Sequence, residues 1–199
     1  MRHRIILLLV FFGALNGLAA QSKKEAGALL QRDLEAYRRH TLAMNFDSSF
    51  TYMPPKMFDV VPRDTLLEMI RQSMNNEYVS IQMTGLDFKS KSKIKIKKAG
   101  AYYWALVPYD GSMVMQMKGE EGYKSLLMSM MRSQFGEKNV TEEGESGMRI
   151  QLKDKNLIAF KDPALPVWSL LEDKRKDKNP MQTALYEAAI PEEVRKAIK

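Results

Sequence analysis

Residues Asn45–Asn76 read NFDSSFTYMPPKMFDVVPRDTLLEMIRQSMNN, and the prolines in this run decide how the N-terminal part is built. Phe46, Phe50 and Met53 recur at i, i+4 and i+7, one apolar stripe of a short helix. Pro54-Pro55 ends it, because proline has no N–H to extend the ladder and disfavours the α conformation before it. A single helical turn fits at Lys56–Phe58. Pro62 sits near the start of the next helix, Asp64 adds a carboxylate at its positive end, and Leu66, Met69, Ile70 and Met74 form its stripe up to Asn75-Asn76. Helices this short are marginal alone, so they must lie against a large apolar surface.

Before that run, Lys23–Met44 reads as a long amphipathic helix. Leu30, Leu34, Tyr37 and Thr41 follow one face, and Gln31, Arg32, Glu35, Arg38 and Arg39 the other. Ser22 with Glu25 forms a capping-box pattern, and Arg38-Arg39-His40 complements the negative end of the helix dipole. The first 20 residues, MRHRIILLLVFFGALNGLAA, have a basic start, an apolar core from Ile5 to Phe12 and small residues before Gln21. This is the pattern of a secretory signal peptide cleaved near Ala20, which predicts a secreted or periplasmic protein with one domain over residues 21–199. Cleavage leaves 179 residues with a formal charge of +5, too mild and diffuse for a nucleic-acid footprint. No later run is long enough to cross a membrane as a helix.

From Tyr78 the apolar period becomes two: Val79, Ile81 and Met83, then, after Gly85, Leu86 and Phe88 on the other parity. A glycine at such a flip predicts a β-bulge that bends the strand. If the strand continues, Lys89, Lys91, Lys93, Lys95 and Lys97 form a ladder on one face. That ladder is either a solvated, edge-protecting face or a strip that docks anionic groups; no aromatic residue interleaves it, as stacking on single-stranded nucleic acid would require.

Tyr102–Val107 is apolar on both parities, a strand covered on both faces. Asp110-Gly111 reads as a kink in one long strand running on through Met113, Met115 and Met117, a hairpin being the alternative. Glu120–Phe135 reads as a helix burying Tyr123, Leu127, Met130 and Met131, with Gly136 as its C-cap. Met148–Leu152, a turn at Lys153–Asn156, Leu157–Phe160 and Pro166–Leu171 read as a meander of three short strands. A weak helix near Met181–Ala188 and another after Pro191 close the chain.

The expected class is α+β: N-terminal helices packed in a strongly bent antiparallel sheet, a cone, with one helical insertion and short C-terminal helices. In FTYMPPKMFDVVPRDTLLEMI, the kinked YYWALVPYDGSMVMQM, VWSLL and IPEEVRKAI, the chain resembles the nuclear-transport-factor-2-like superfamily, which includes ketosteroid isomerases, scytalone dehydratase and SnoaL-type cyclases. The resemblance covers nearly all of the mature chain in order, carries no catalytic motif, and implies a single-domain binder of the exported bacterial kind.

The residues restrict the chemistry. Past residue 20 there is one histidine, His40, and the chain has no cysteine, which excludes a Cys/His pair and would make any zinc site nearly all carboxylate. Phosphate loops, EF-hand spacing and HExxH are absent from the sequence. Ser90 with Lys93 matches SxxK only within a Ser/Lys alternation and without its companion motifs. Asn139-Val140-Thr141 is a sequon that matters only in a eukaryotic host. The resemblance implies acid–base work inside a cone for the enzymes of the superfamily. Asp47, Tyr52, Tyr103, Tyr109 and Asp110 have suitable side chains, but no motif assigns them that role, and core or cap positions explain them.

Fourteen methionines remain after Met1. They fill a core or line an adaptable apolar pocket, copper(I) binding being the minor alternative. The sequence therefore predicts a non-catalytic binding domain, with no cofactor and no metal. Its apolar site is placed at Tyr52, Tyr103, Trp104, Tyr109, Met113, Met115 and Trp168, for a small apolar ligand or a peptide segment. The alternatives are an envelope-protein interaction module using Lys89, Lys91, Lys93, Lys95 and Lys97, and a cofactor-free lyase or isomerase; a homodimer is compatible with each.

Overall fold

A computed structural model describes residues 22–89, 93–118, 121–175 and 180–198, with the side chains of 121–123 and 180–182 left aside. Residues 1–20, expected above to be a signal peptide, and Ser90 and Lys91 lie outside the described residues. The chain forms α1 (Lys23–Leu42), α2 (Phe46–Ser49), 3-10 turns at Phe50–Tyr52 and Pro55–Asp59, and α3 (Arg63–Met74). Then come β1 (Val79–Phe88), β2 (Lys97–Ala99), β3 (Tyr102–Met117), α4 (Glu121–Phe135), β4 (Val140–Glu143), β5 (Gly147–Lys161), β6 (Ser169–Glu172), α5 (Pro180–Ala189) and α6 (Glu192–Ile198).

The N-terminal helices form where their caps require. Glu25 N–H donates to Ser22 Oγ at 3.2 Å and Ser22 N–H to Glu25 Oε2 at 2.8 Å, the reciprocal box that starts α1. Asn45 Oδ1 accepts from Ser48 N–H at 3.2 Å to start α2. Asp47 then receives Arg63 at 3.4 Å and Arg71 at 2.6 Å, tying α3 back to α2 across the proline turns. Arg38, besides facing the helix dipole, donates from Nε to Leu86 O at 2.8 Å and so anchors α1 on β1.

All pairings in the six-stranded sheet are antiparallel, in the order β1-β3-β5-β4, with β2 also on β3 and β6 also on β5. β3 is one continuous strand, as expected. Its neighbours carry the irregularities: β1 shifts register between Met83 and Gly85, and β5 shifts opposite Asp110. The expected turn at Lys153–Asn156 is therefore a bulge inside a single β5. Asp154 takes φ 52°, a left-handed conformation that aspartate tolerates, and the strand runs on without reversing. The β4–β5 hairpin was not anticipated; Gly144, at φ 64°, lies in its turn.

Bulges did not close the sheet into a cone: it is not strongly curled. Its odd-numbered β3 residues serve two clusters. Tyr103, Ala105, Val107 and Tyr109 meet α1 through Ala26, Leu30 and Leu34, while Met113, Met115 and Met117 meet α4. On the opposite parity Trp104, with Ile158 and Phe160 of β5, packs against Ala189, Ile190, Val194 and Ile198 of the C-terminal helices. A sheet with helices bearing on both faces gains little by wrapping around one of them. On α4, Met130 is exposed rather than buried as expected, because the buried stripe falls on Leu127, Met128, Met131 and Phe135.

Trp168 joins α1 to the sheet. It is fully buried; its backbone N–H donates to Asp33 Oδ2 at 2.9 Å and its indole N–H to Ala26 O at 3.1 Å. Replacing Asp33 by Ala leaves the Trp168 N–H without its acceptor in the core, at a cost of about 1–3 kcal/mol. Urea unfolding should show that loss for Asp33→Ala and much less of it for Asp33→Asn, which keeps an acceptor oxygen; equal losses would contradict the pin.

At the β5 bulge, Asp110 Oδ1 accepts from Asp154 N–H at 2.9 Å and sits 3.0 Å from Lys89 Nζ, which also reaches Asp154 at 2.8 Å. Burial pushes the Asp110 carboxyl up, but the Asp154 N–H and Lys89 outweigh it and hold the group below its ordinary range. A carboxyl with a depressed folded pKa contributes stability above its unfolded pKa and loses it as pH falls through the folded value. The stability gap between wild type and Asp110→Asn should therefore narrow between about pH 6 and about pH 3. A pH-independent gap in urea unfolding would contradict this.

Candidate functional site

The site forms where β3 changes neighbours. β1 pairs with β3 as far as Phe88 opposite Tyr109, and Lys89 N–H still donates to Pro108 O at 2.8 Å. β2 pairs only from Lys97 opposite Trp104. Between these points no strand pairs with β3 on this edge among the described residues. Pro108 suits the transition: proline has no N–H to offer a partner, so it marks where a ladder can stop.

Here the alternation of β3 turns Trp104, Leu106 and Pro108 to the face away from α1. They form the apolar floor of a groove of about 310 Å³, with Ile94 beside them and Lys89, Lys93, Lys95 and Lys97 around it. That volume is at the low end of the roughly 300–1,000 Å³ of small-molecule sites. The lysines do not stand on one strand, since β1 ends at Phe88 and Lys93–Ile96 lies outside the sheet. The irregular backbone nevertheless brings four of the five to one place.

Their electrostatic situations differ. Lys89 is committed: hydrogen bonds to Asp154 and Asp110 raise its pKa. Lys97 Nζ sits 4.8 Å over the Trp104 ring, a cation–π contact that fixes it on the floor. Lys93 and Lys95 are exposed and have no carboxylate partner among the described residues. Trp104 itself is 3 % exposed, and its indole N–H is buried without an acceptor. Two uncompensated ammonium groups beside an apolar floor can attract an anion and cover a hydrocarbon at once.

Of the seven apolar candidates, only Trp104 lines this groove. Tyr52, Tyr109 and Trp168 belong to the α1 cluster, Tyr103 packs against it, and Met113 and Met115 lie in the cluster under α4. Tyr52 stands edge-on to Tyr37, ring centroids 6.1 Å apart, and stacks on His40 at 6.5 Å. Burial, then the charge of Glu172, pushes the Tyr109 hydroxyl far above its ordinary pKa. Asp47 and Asp110 hold the α2–α3 and bulge contacts described above. Asn139 donates to Phe135 O at 2.8 Å and caps α4. Sequence reasoning missed Ile94, Leu106 and Pro108; the available signal was a proline inside a strongly apolar strand.

No family model matches the chain, and no curated protein or solved structure matches it either.

Proposed function

We propose that the chain is an exported, non-catalytic binding domain whose ligand is a small anionic amphiphile, seated in the groove over β3. The observation that carries this reading is the pairing of the uncommitted Lys93 and Lys95 with the apolar floor of Trp104, Leu106 and Pro108. A carboxylate or phosphate head would bridge the two ammonium groups, and its hydrocarbon would lie on the floor. Among the described lining residues the ionisable groups are all lysines, suited to holding an anion and without a carboxylate, histidine or tyrosine to complete an acid–base pair, which supports binding over turnover. An acidic envelope protein would meet the same lysines but leave the apolar floor unused. Kinship with the nuclear-transport-factor-2-like superfamily rests on the order of helices and strands alone, without the cone.

Calorimetric titration of the mature protein with octanoate, octyl phosphate and octanol tests the reading. The two anions should bind and octanol should not. Charged hydrogen bonds contribute about 1.5–3 kcal/mol each, so Lys93→Gln and Lys95→Gln should each weaken binding about ten- to a hundredfold. Lys124→Gln, on α4, should leave it unchanged. Equal binding of octanol, or no effect of the two substitutions, would overturn the proposal.

A further inference from the structure

At the groove, the edge of β3 is open over a single residue. In an antiparallel strand the N–H and C=O of one residue point to one neighbouring strand and those of the next residue to the other. Pro108 O accepts from Lys89 N–H, so Pro108, Leu106 and Trp104 all present their backbone groups to the edge that carries β1 and β2, whereas Ala105 and Val107 turn theirs toward β5. Lys97 of β2 stands opposite Trp104, and Pro108 has already met Lys89. Leu106 remains between them. The β2 register continued by two residues would set Lys95 opposite Leu106, yet no backbone hydrogen bond joins the two, and both line the groove.

A ladder is completed at such a position by one amino-acid residue, which donates its own N–H to Leu106 C=O and accepts from Leu106 N–H with its own carbonyl oxygen. If that residue ends a chain, the accepting oxygen belongs to a carboxylate, and its charge suits Lys93 and Lys95 beside it. With Trp104 and Pro108 engaged on either side, the open stretch admits one residue and does not continue along a peptide. What precedes the residue must then lie on the apolar floor, which suits a hydrocarbon rather than further amide groups. On the footing of the binding role proposed above, we infer that the anionic amphiphile of this groove is an N-acyl amino acid. Its amide N–H and carboxylate complete the β3 edge at Leu106, and its acyl chain covers the floor.

Calorimetric titration of the chain from residue 21 onward with octanoate, N-octanoylglycine and N-octanoylsarcosine tests this. The sarcosine compound keeps the carboxylate and the acyl chain but carries a methyl group in place of the N–H. N-octanoylglycine should bind about tenfold tighter than octanoate, the worth of one or two added hydrogen bonds, and N-octanoylsarcosine should lose that gain. An acetylated tripeptide ending in the same glycine should bind more weakly than N-octanoylglycine. In hydrogen exchange followed by NMR, the Leu106 amide should exchange more slowly when N-octanoylglycine saturates the protein. Equal affinities for the glycine and sarcosine compounds, tighter binding of the tripeptide, or unchanged exchange at Leu106 would overturn the inference while octanoate binding kept the wider reading in place. Failure of all three acyl compounds to bind would overturn both.

Discussion

β3 is the strand on which the other elements depend, because one of its edges has to serve two different partners. Sixteen residues long, it takes β1 along its C-terminal half and the three-residue β2 at its start. Between those partners Lys93–Ile96 lies outside the sheet, and the edge left open is where the groove lies. On the other edge β5 follows β3 for nearly its whole length, accommodating the mismatch by one left-handed aspartate rather than by a break. Continuous pairing on one side and interrupted pairing on the other keep the floor rigid while opening a site above it.

The division of labour among the lysines follows from that geometry. Where β1 ends, Lys89 meets the two aspartates of the bulge and becomes part of the fold. Where β2 begins, Lys97 lies opposite Trp104 and becomes part of the floor. Lys93 and Lys95, on the segment between, are left with uncompensated charge beside apolar surface. A partner that offers only charge, or only hydrocarbon, satisfies half of that surface.

Much of the architecture was legible in the sequence because local chemistry dictated it: the capping box of α1, the proline-punctuated turns, the bulge at Gly85, the unbroken β3 and both C-terminal helices. The failures share a physical cause. Turn residues such as those at Lys153–Asn156 serve a bulge as well as a reversal, and only tertiary pairing decides between them. The lysine alternation looked like a strand because its period was two, yet β3 could not pair with it throughout. Aromatic and methionine candidates looked like a lining, whereas most of them fill the cores beneath α1 and α4. Trp104 was legible as a candidate and the lysines as another, but nothing in the chain order announces that they share one groove.

The two tryptophans permit a direct test of the groove. Trp104 has its indole N–H buried without an acceptor at the site, and Trp168 has its own bonded to Ala26 O in the opposite cluster. Proton–nitrogen NMR of the labelled chain from residue 21 onward resolves one indole signal from each, with Trp104→Phe assigning them. On titration with octanoate the Trp104 signal should move to saturation while that of Trp168 stays in place. A stationary Trp104 signal, or movement confined to Trp168, would contradict the account.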